Sequence, residues 1–211
     1  MNQKGVTLIE MLVAVAIFSI IVAAISGLFI SSIRTQGRIL ATQELLDQTS
    51  YALEYMGRAI RMAKKELNCG DDDTQEYCDP INPSQCLIDP DLPPSYYYGY
   101  NYQVSPSPIG DRIRFINYDN KCQEFFYENG QIKTKISDKR LAARFLAPLP
   151  LTSGHIQIES LQFIISGESQ GDDLQPKVTV SIEARGRETV SERPKIQIQT
   201  SISQRTLDVE Y

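Results

Sequence analysis

Between positions 11 and 30 the chain reads MLVAVAIFSIIVAAISGLFI, an apolar run of twenty residues without a charge, and that run sets the first limit on any fold. At ~1.5 Å rise per residue a helix of this length covers about 30 Å, the thickness of the hydrocarbon core of a bilayer. The helix of a soluble core rarely needs so long an apolar stretch, so the run reads as a membrane span. Glu10 stands directly before it. A carboxylate at the edge of lipid is costly and calls for a partner. A secretory signal peptide competes with this reading, since Lys4 gives a basic start and Val22-Ala23-Ala24 or Ala24-Ile25-Ser26 would pass as small-residue cleavage sites. Against it, the run continues to Ile30, exceeds the about 7–15 residues of a signal h-region, and carries an acid near its start. Lys4 precedes the span and Arg34 and Arg38 follow it, so charge alone does not orient it.

The stretch Lys4-Gly5-Val6-Thr7-Leu8-Ile9-Glu10 ahead of a long apolar helix resembles the class III leader of type IV prepilins and type II secretion pseudopilins. The resemblance implies cleavage by prepilin peptidase between Gly5 and Val6, and methylation of the new amino terminus at Val6. Val6 stands where the family favours Phe. The resemblance further implies a single pass through the inner (cytoplasmic) membrane with the C-terminal domain outside the cytoplasm. It brings as partners other pilins or pseudopilins, the peptidase, the inner-membrane assembly platform and membrane lipid. Glu10 has a physical reason of its own. Cleavage would place a positive amine at Val6 one helical turn from the acid, and two helices staggered side by side could set one subunit's Glu10 against its neighbour's amine, removing two desolvation penalties together. The family uses this residue in that way for subunit assembly.

Beyond the span roughly 180 residues remain, room for one extended helix and one domain with a modest core. A net charge of −5 gives no general attraction to nucleic acid or anionic lipid, so no nucleic-acid partner is expected and a DNA-touching competence pilin lacks its basic stripe. Cys69, Cys78, Cys86 and Cys122 are separated by eight, seven and thirty-five residues, with no C-x-x-C pair. An even number outside the membrane reads as two disulfides rather than a metal site, and three pairings are open. The pairing favoured here has one bridge inside the loop 69–86 and one tying that loop to Cys122.

Helical periodicity continues past the span: Ile39, Leu46, Leu53, Ile60 and Leu67 recur every seven residues, with Thr42, Thr49, Met56 and Ala63 three later. The second position is mostly small or polar, too weak for a self-sufficient coiled coil, so the stripe is expected to lie on another surface of the same chain. Gly27 and Gly37 lower helix propensity near the membrane exit. Residues 68–94 change character, with Gly70, aspartates at 71, 72 and 73 and five prolines, and read as a loop. The aspartate run lacks the D-x-[DN]-x-[DN]-G spacing of a calcium loop and reads as a solvated turn.

Strand periodicity follows at 96–104, 112–118, 122–127 and 130–137, with Asn129-Gly130 a strong hairpin signal. Tyr96, Tyr98, Tyr100 and Tyr102 would share one strand face and are expected to be half-buried. Residues 141–146 allow a short helix. Ile156 and Ile158 point one way while Leu161, Phe163 and Ile165 resume out of phase, which predicts a bulge near Glu159 and Ser160. Val178, Val180, Ile182 and Ala184 alternate cleanly, as do Ile196, Ile198, Thr200 and Ile202, so this part of the sheet is covered on one side, by the second half of the long helix.

The expected fold is therefore α+β and pilin-like, a long N-terminal helix packed on a C-terminal antiparallel sheet. Its parts are a leader at 1–5, a membrane and assembly half of the helix at 6–30, an amphipathic half at 31–67, a Cys/Pro-rich loop at 68–94 and a β-rich head at 95–211. The order resembles the larger minor pilins and J-type pseudopilins. No G-x-S-x-G, H-E-x-x-H or Walker motif occurs, and the single His155 has no histidine partner, so neither catalysis, nor a cofactor, nor a metal is indicated. Two functions from different classes stand: a structural subunit of a pilus-like filament or secretion pseudopilus, and a membrane-anchored extracytoplasmic binding module that never polymerises.

Overall fold

The computed structural model describes residues 5–65, 86–87, 100–106, 109–138, 145–167, 174–186 and 194–205. One helix, α1 (Leu8–Arg61), runs for 54 residues, about 81 Å at ~1.5 Å per residue. Arg58 and Arg61 occupy its last turn, where cations suit the helix dipole. From residue 5 to residue 40 every position is exposed; burial begins further along, at Leu45, Thr49, Ala52, Met56 and Ile60.

Among the described residues nine strands follow: β1 (Tyr102–Ser105), β2 (Ile109–Gly110), β3 (Arg112–Ile116), β4 (Cys122–Glu128), β5 (Gln131–Ile136), β6 (Leu149–Pro150), β7 (Ile156–Ser166), β8 (Lys177–Gly186) and β9 (Lys195–Ser203). They form two antiparallel sheets, ordered β1-β3-β4-β5-β6 and β2-β7-β8-β9. Asn129 and Gly130 both have positive φ, 54° and 76°, and join β4 to β5 through the pair Glu128 and Gln131, as a two-residue hairpin requires. The register of β7 against β8 shifts between Ile158 and Ser160, at the expected bulge. At Gly110 the two sheets come so close that a Cβ would stand 2.1 Å from the carbonyl oxygen of Ser105, and only glycine fits.

Both sheets and the helix share one core. Leu45, Met56 and Ile60 from α1 meet Phe115 and Phe125 from the first sheet and Phe163, Val180 and Ile182 from the second, all fully buried. Rings run through it in sequence: Tyr55 edge-on to Phe125 at 5.9 Å, Phe125 to Phe115 at 5.6 Å, Phe115 to Tyr102 at 6.4 Å. Each such side chain is worth about 1.5–3 kcal/mol of burial, so this core holds the head to the helix.

Several expectations need correction. The helix ends at Arg61 and not at Leu67, because Lys64 turns into a β-bridge with Ile116. Its buried residues are Leu45, Thr49, Ala52, Met56, Gly57 and Ile60, whereas Ile39 and Leu46 of the expected stripe are exposed. Thr49, Ala52 and Gly57 are small, and Gly57 faces Ile202, where an added Cβ would make ordinary van der Waals contact at 3.6 Å. Of the expected helix at 141–146, residues 141–144 lie outside the described residues, and Phe145 pairs with Ser137 in a β-bridge. Tyr96 and Tyr98 also lie outside them. Tyr102 is buried in β1 and Tyr100 is half-buried before it. The pairs β2 and β6 were not foreseen, being two residues each.

β4 is buried on both faces, not one. Behind the main core its other face carries Cys122, Glu124 and Phe126. The Glu124 side chain is wholly inaccessible and is held by three cations: Arg114 at 2.8 Å, Lys135 at 3.0 Å and Arg112 at 3.1 Å. Arg112 and Lys135 also lie over the Phe126 ring, at 5.4 and 5.3 Å.

Candidate assembly site at the helix start

The start of α1 is built by its own sequence. Thr7 takes the extended N-cap conformation, and its Oγ1 accepts from the Glu10 backbone N–H at 3.4 Å. Glu10 reaches back: its Oε2 accepts from the Thr7 backbone N–H and from the Thr7 hydroxyl, each at 2.9 Å. This is a capping box, and it satisfies two donors that a helix start otherwise leaves open. The signal was present in Thr7-Leu8-Ile9-Glu10, a T-x-x-E pattern that the reading by resemblance passed over.

The geometry gives Glu10 two faces. Oε2 is committed to Thr7, while Oε1 carries no hydrogen bond among the described residues. The carboxylate is thus held by Thr7 and retains one oxygen as a further acceptor. Gly5 and Val6 lie in exposed chain just before the cap, with nothing near Gly5, so the bond between them is open to approach. Glu10 is the acid in the first turn of an exposed helix whose next charged residue is Arg34. Ser19, Ser26, Thr35 and Thr42 turn their hydroxyls back onto the carbonyls four residues earlier, at 2.8–3.0 Å.

A second group of candidates was the cysteines. Cys86 and Cys122 are joined by a disulfide, with Cα atoms 5.4 Å apart, and with Leu87 and Ile116 they form a small second core flanked by Tyr100 and Phe145. Cys69 and Cys78 lie outside the described residues, as does the aspartate run at 71–73. His155 is exposed at the approach to β7, its backbone N–H donating to Ser153 Oγ at 3.2 Å.

A family model for the prokaryotic N-terminal methylation motif matches residues 1–26. Searches of curated proteins and of solved structures returned no match. The matched segment contains Gly5, Val6, Thr7 and Glu10, and it ends inside the apolar helix. Motif and helix together are consistent with a membrane anchor bearing an extracytoplasmic domain, and the motif implies interaction with a prepilin peptidase and with other pilins. A long apolar N-terminal helix packed on antiparallel sheets is a pilin-like architecture, and the motif at residues 1–26 supports a type IV prepilin-like protein.

Proposed function

We propose that this chain is a minor pilin or minor pseudopilin, most like the J-type, acting as a structural subunit of a type IV pilus-like filament or of a type II secretion pseudopilus. Prepilin peptidase cuts between Gly5 and Val6 and methylates Val6. The mature chain then waits in the inner membrane, single-pass with its head outside the cytoplasm, until the assembly platform passes it into the filament beside other pilins. Its role is structural and not catalytic. One observation carries the reading: residues 5–40 are exposed throughout, with Glu10 oriented by Thr7 at their start. An apolar helix of that length asks for lipid before assembly and for neighbouring helices afterwards.

Mass spectrometry of the membrane-extracted protein tests the processing. The expected chain begins at Val6 and carries one added methyl. A chain that begins at Met1, or after Ala24 or Ser26, overturns the proposal. The anchored binding module makes the opposite prediction at one residue, since Glu10→Leu would improve a plain anchor and impair a filament subunit.

A further inference from the structure

A groove of about 750 Å³ opens between the second half of α1 and the turn that joins β3 to β4. That volume lies in the range of small-molecule sites. The helix supplies Tyr51, Glu54, Tyr55 and Arg58, and the turn supplies Tyr118 and Asp119. Beyond the apolar half of the helix, Tyr51 and Tyr118 are the two large exposed aromatic residues among the described ones, at 61% and 63%, and both face this groove.

Both walls are fixed. Tyr51 stacks on Tyr55, with ring centroids 6.5 Å apart, and Tyr55 in turn meets the buried Phe125. In the turn, Asn117 Oδ1 accepts from the backbone N–H groups of Asp119 and Lys121, each at 3.0 Å, while Lys64 donates to Asn120 Oδ1 at 2.7 Å. Two buried lining residues are already paired, the Asn117 amide donating to Gln123 Oε1 and the Gln123 amide to Thr134 Oγ1, while Ala59, Met62 and Ile136 make much of the remaining lining apolar. The charged groups at the rim are the carboxylates of Glu54 and Asp119 and the guanidinium of Arg58; Arg58 pairs with Glu54 at 2.7 Å, and Asp119 accepts from the Tyr118 hydroxyl.

Two exposed aromatic rings beside two carboxylates and one guanidinium match the chemistry of a sugar, which presents apolar C–H faces and a rim of hydroxyls that both donate and accept. The rim has one more carboxylate than cations, which disfavours phosphorylated, sulfated or otherwise anionic ligands. We infer that this groove is a binding site for a short neutral oligosaccharide, stacked on Tyr51 and Tyr118 and hydrogen-bonded by Glu54, Arg58 and Asp119.

The test uses the full chain in phospholipid nanodiscs, free of glucoside and maltoside detergents. Maltotriose, cellotriose, mannotriose and N-acetylchitotriose serve as probes, read by saturation-transfer NMR and titration calorimetry, with a heparin tetrasaccharide as the anionic control. At least one neutral trisaccharide is expected to bind saturably. Tyr118→Ala and Tyr51→Ala should each weaken it about ten-fold, the order expected for losing one aromatic stacking partner. Tyr118→Phe should retain binding, Asp119→Asn should weaken it, and because these side chains are exposed all four variants should melt like the parent. The inference fails if none of the four probes saturates, if heparin competes equally, or if binding survives both alanine changes. It fails also if a photo-crosslinker at position 118 in cells captures a protein while no sugar binds, which would make the groove a protein interface.

Discussion

The hydroxyl of Tyr102 donates to the carbonyl oxygen of Ile60 at 2.8 Å, tying the first strand of the head to the last turn of the long helix. Helix ends leave carbonyls without intrahelical partners, and here the head supplies them. The backbone N–H of Arg205 reaches the Arg61 carbonyl at 2.9 Å, and the side-chain amide of Gln204 donates to Ala63 at 2.8 Å. Strands from both ends of the head thus close one helix terminus. Tyr102→Phe keeps the ring against Phe115 and removes one hydrogen bond from the Ile60 carbonyl, which still accepts from the Ala63 backbone N–H at 3.1 Å. The expected cost is about 1 kcal/mol, and Tyr102→Ala should cost about 3–5 kcal/mol by adding a cavity. Thermal melting followed by near-ultraviolet circular dichroism of both variants measures the difference.

Glu124 should be the most sensitive charged residue of the head. Its side chain is inaccessible, and Arg112, Arg114 and Lys135 converge on it. Oε1 lies near Lys135 and Arg112 without a well-aligned hydrogen bond, so charge more than direction holds it there. Removing the carboxylate leaves three crowded cations, and Glu124→Ala is expected to destabilise by about 3–5 kcal/mol. Arg112→Met should cost under about 1 kcal/mol, since Arg112 is 43% exposed and two partners remain. Denaturant titration separates the two; equal costs would refute this account.

The Cys86–Cys122 bridge closes a sequence separation of 36 residues and pins the small second core to β4. In the chain-entropy account such a bridge is worth about 2–4 kcal/mol. Cys122→Ser should therefore lower the melting temperature, and a reductant should have less effect on this variant than on the parent. Non-reducing peptide mapping checks the pairing directly.

At the helix start the capping box and the assembly role of Glu10 can be separated. Thr7→Val removes the cap and should cost about 1 kcal/mol of local helix stability, while leaving the charge of Glu10 in place. Glu10→Gln keeps the shape and removes the charge. Under the proposed function, Glu10→Gln and Glu10→Ala both insert and are processed but fail to cross-link to co-expressed pilins, while Thr7→Val cross-links at a reduced level. Normal incorporation of both Glu10 variants would favour the anchored binding module.

Two exposed pairs give opposite pH signs. The hydrogen bond from Lys133, at 2.7 Å, and its charge hold the Glu128 carboxyl below the usual glutamate range. That contribution is complete above the unfolded glutamate value and is lost as pH falls through the lowered folded value. Lys195 is held above the usual lysine range by its hydrogen bonds to Glu183 and Glu159. Its contribution is complete below the unfolded lysine value and is lost as pH rises through the raised folded one. NMR titration should show Glu128 moving up in Lys133→Met and Lys195 moving down in Glu183→Gln.

Local signals in the sequence determined a great deal of this protein. Uncharged residues from 11 to 30 dictate an exposed apolar helix, Asn129-Gly130 a two-residue turn, and the change of phase after Ile158 a bulge, because each depends on neighbours a few positions away. Lys4-Gly5-Val6 and Glu10 carry the prepilin character for the same reason. Tertiary packing decided the rest. Which part of the helix is buried was settled by where the two sheets lie, which cover Leu45, Thr49, Ala52, Met56 and Ile60 and leave the apolar Ile39 and Leu46 exposed. The division into two sheets, the burial of Glu124 among three cations, and the meeting of Tyr51 with Tyr118 join residues that lie far apart in the chain. Burial and charge pairing are properties of that assembled space, and a reading of local periodicity contains neither.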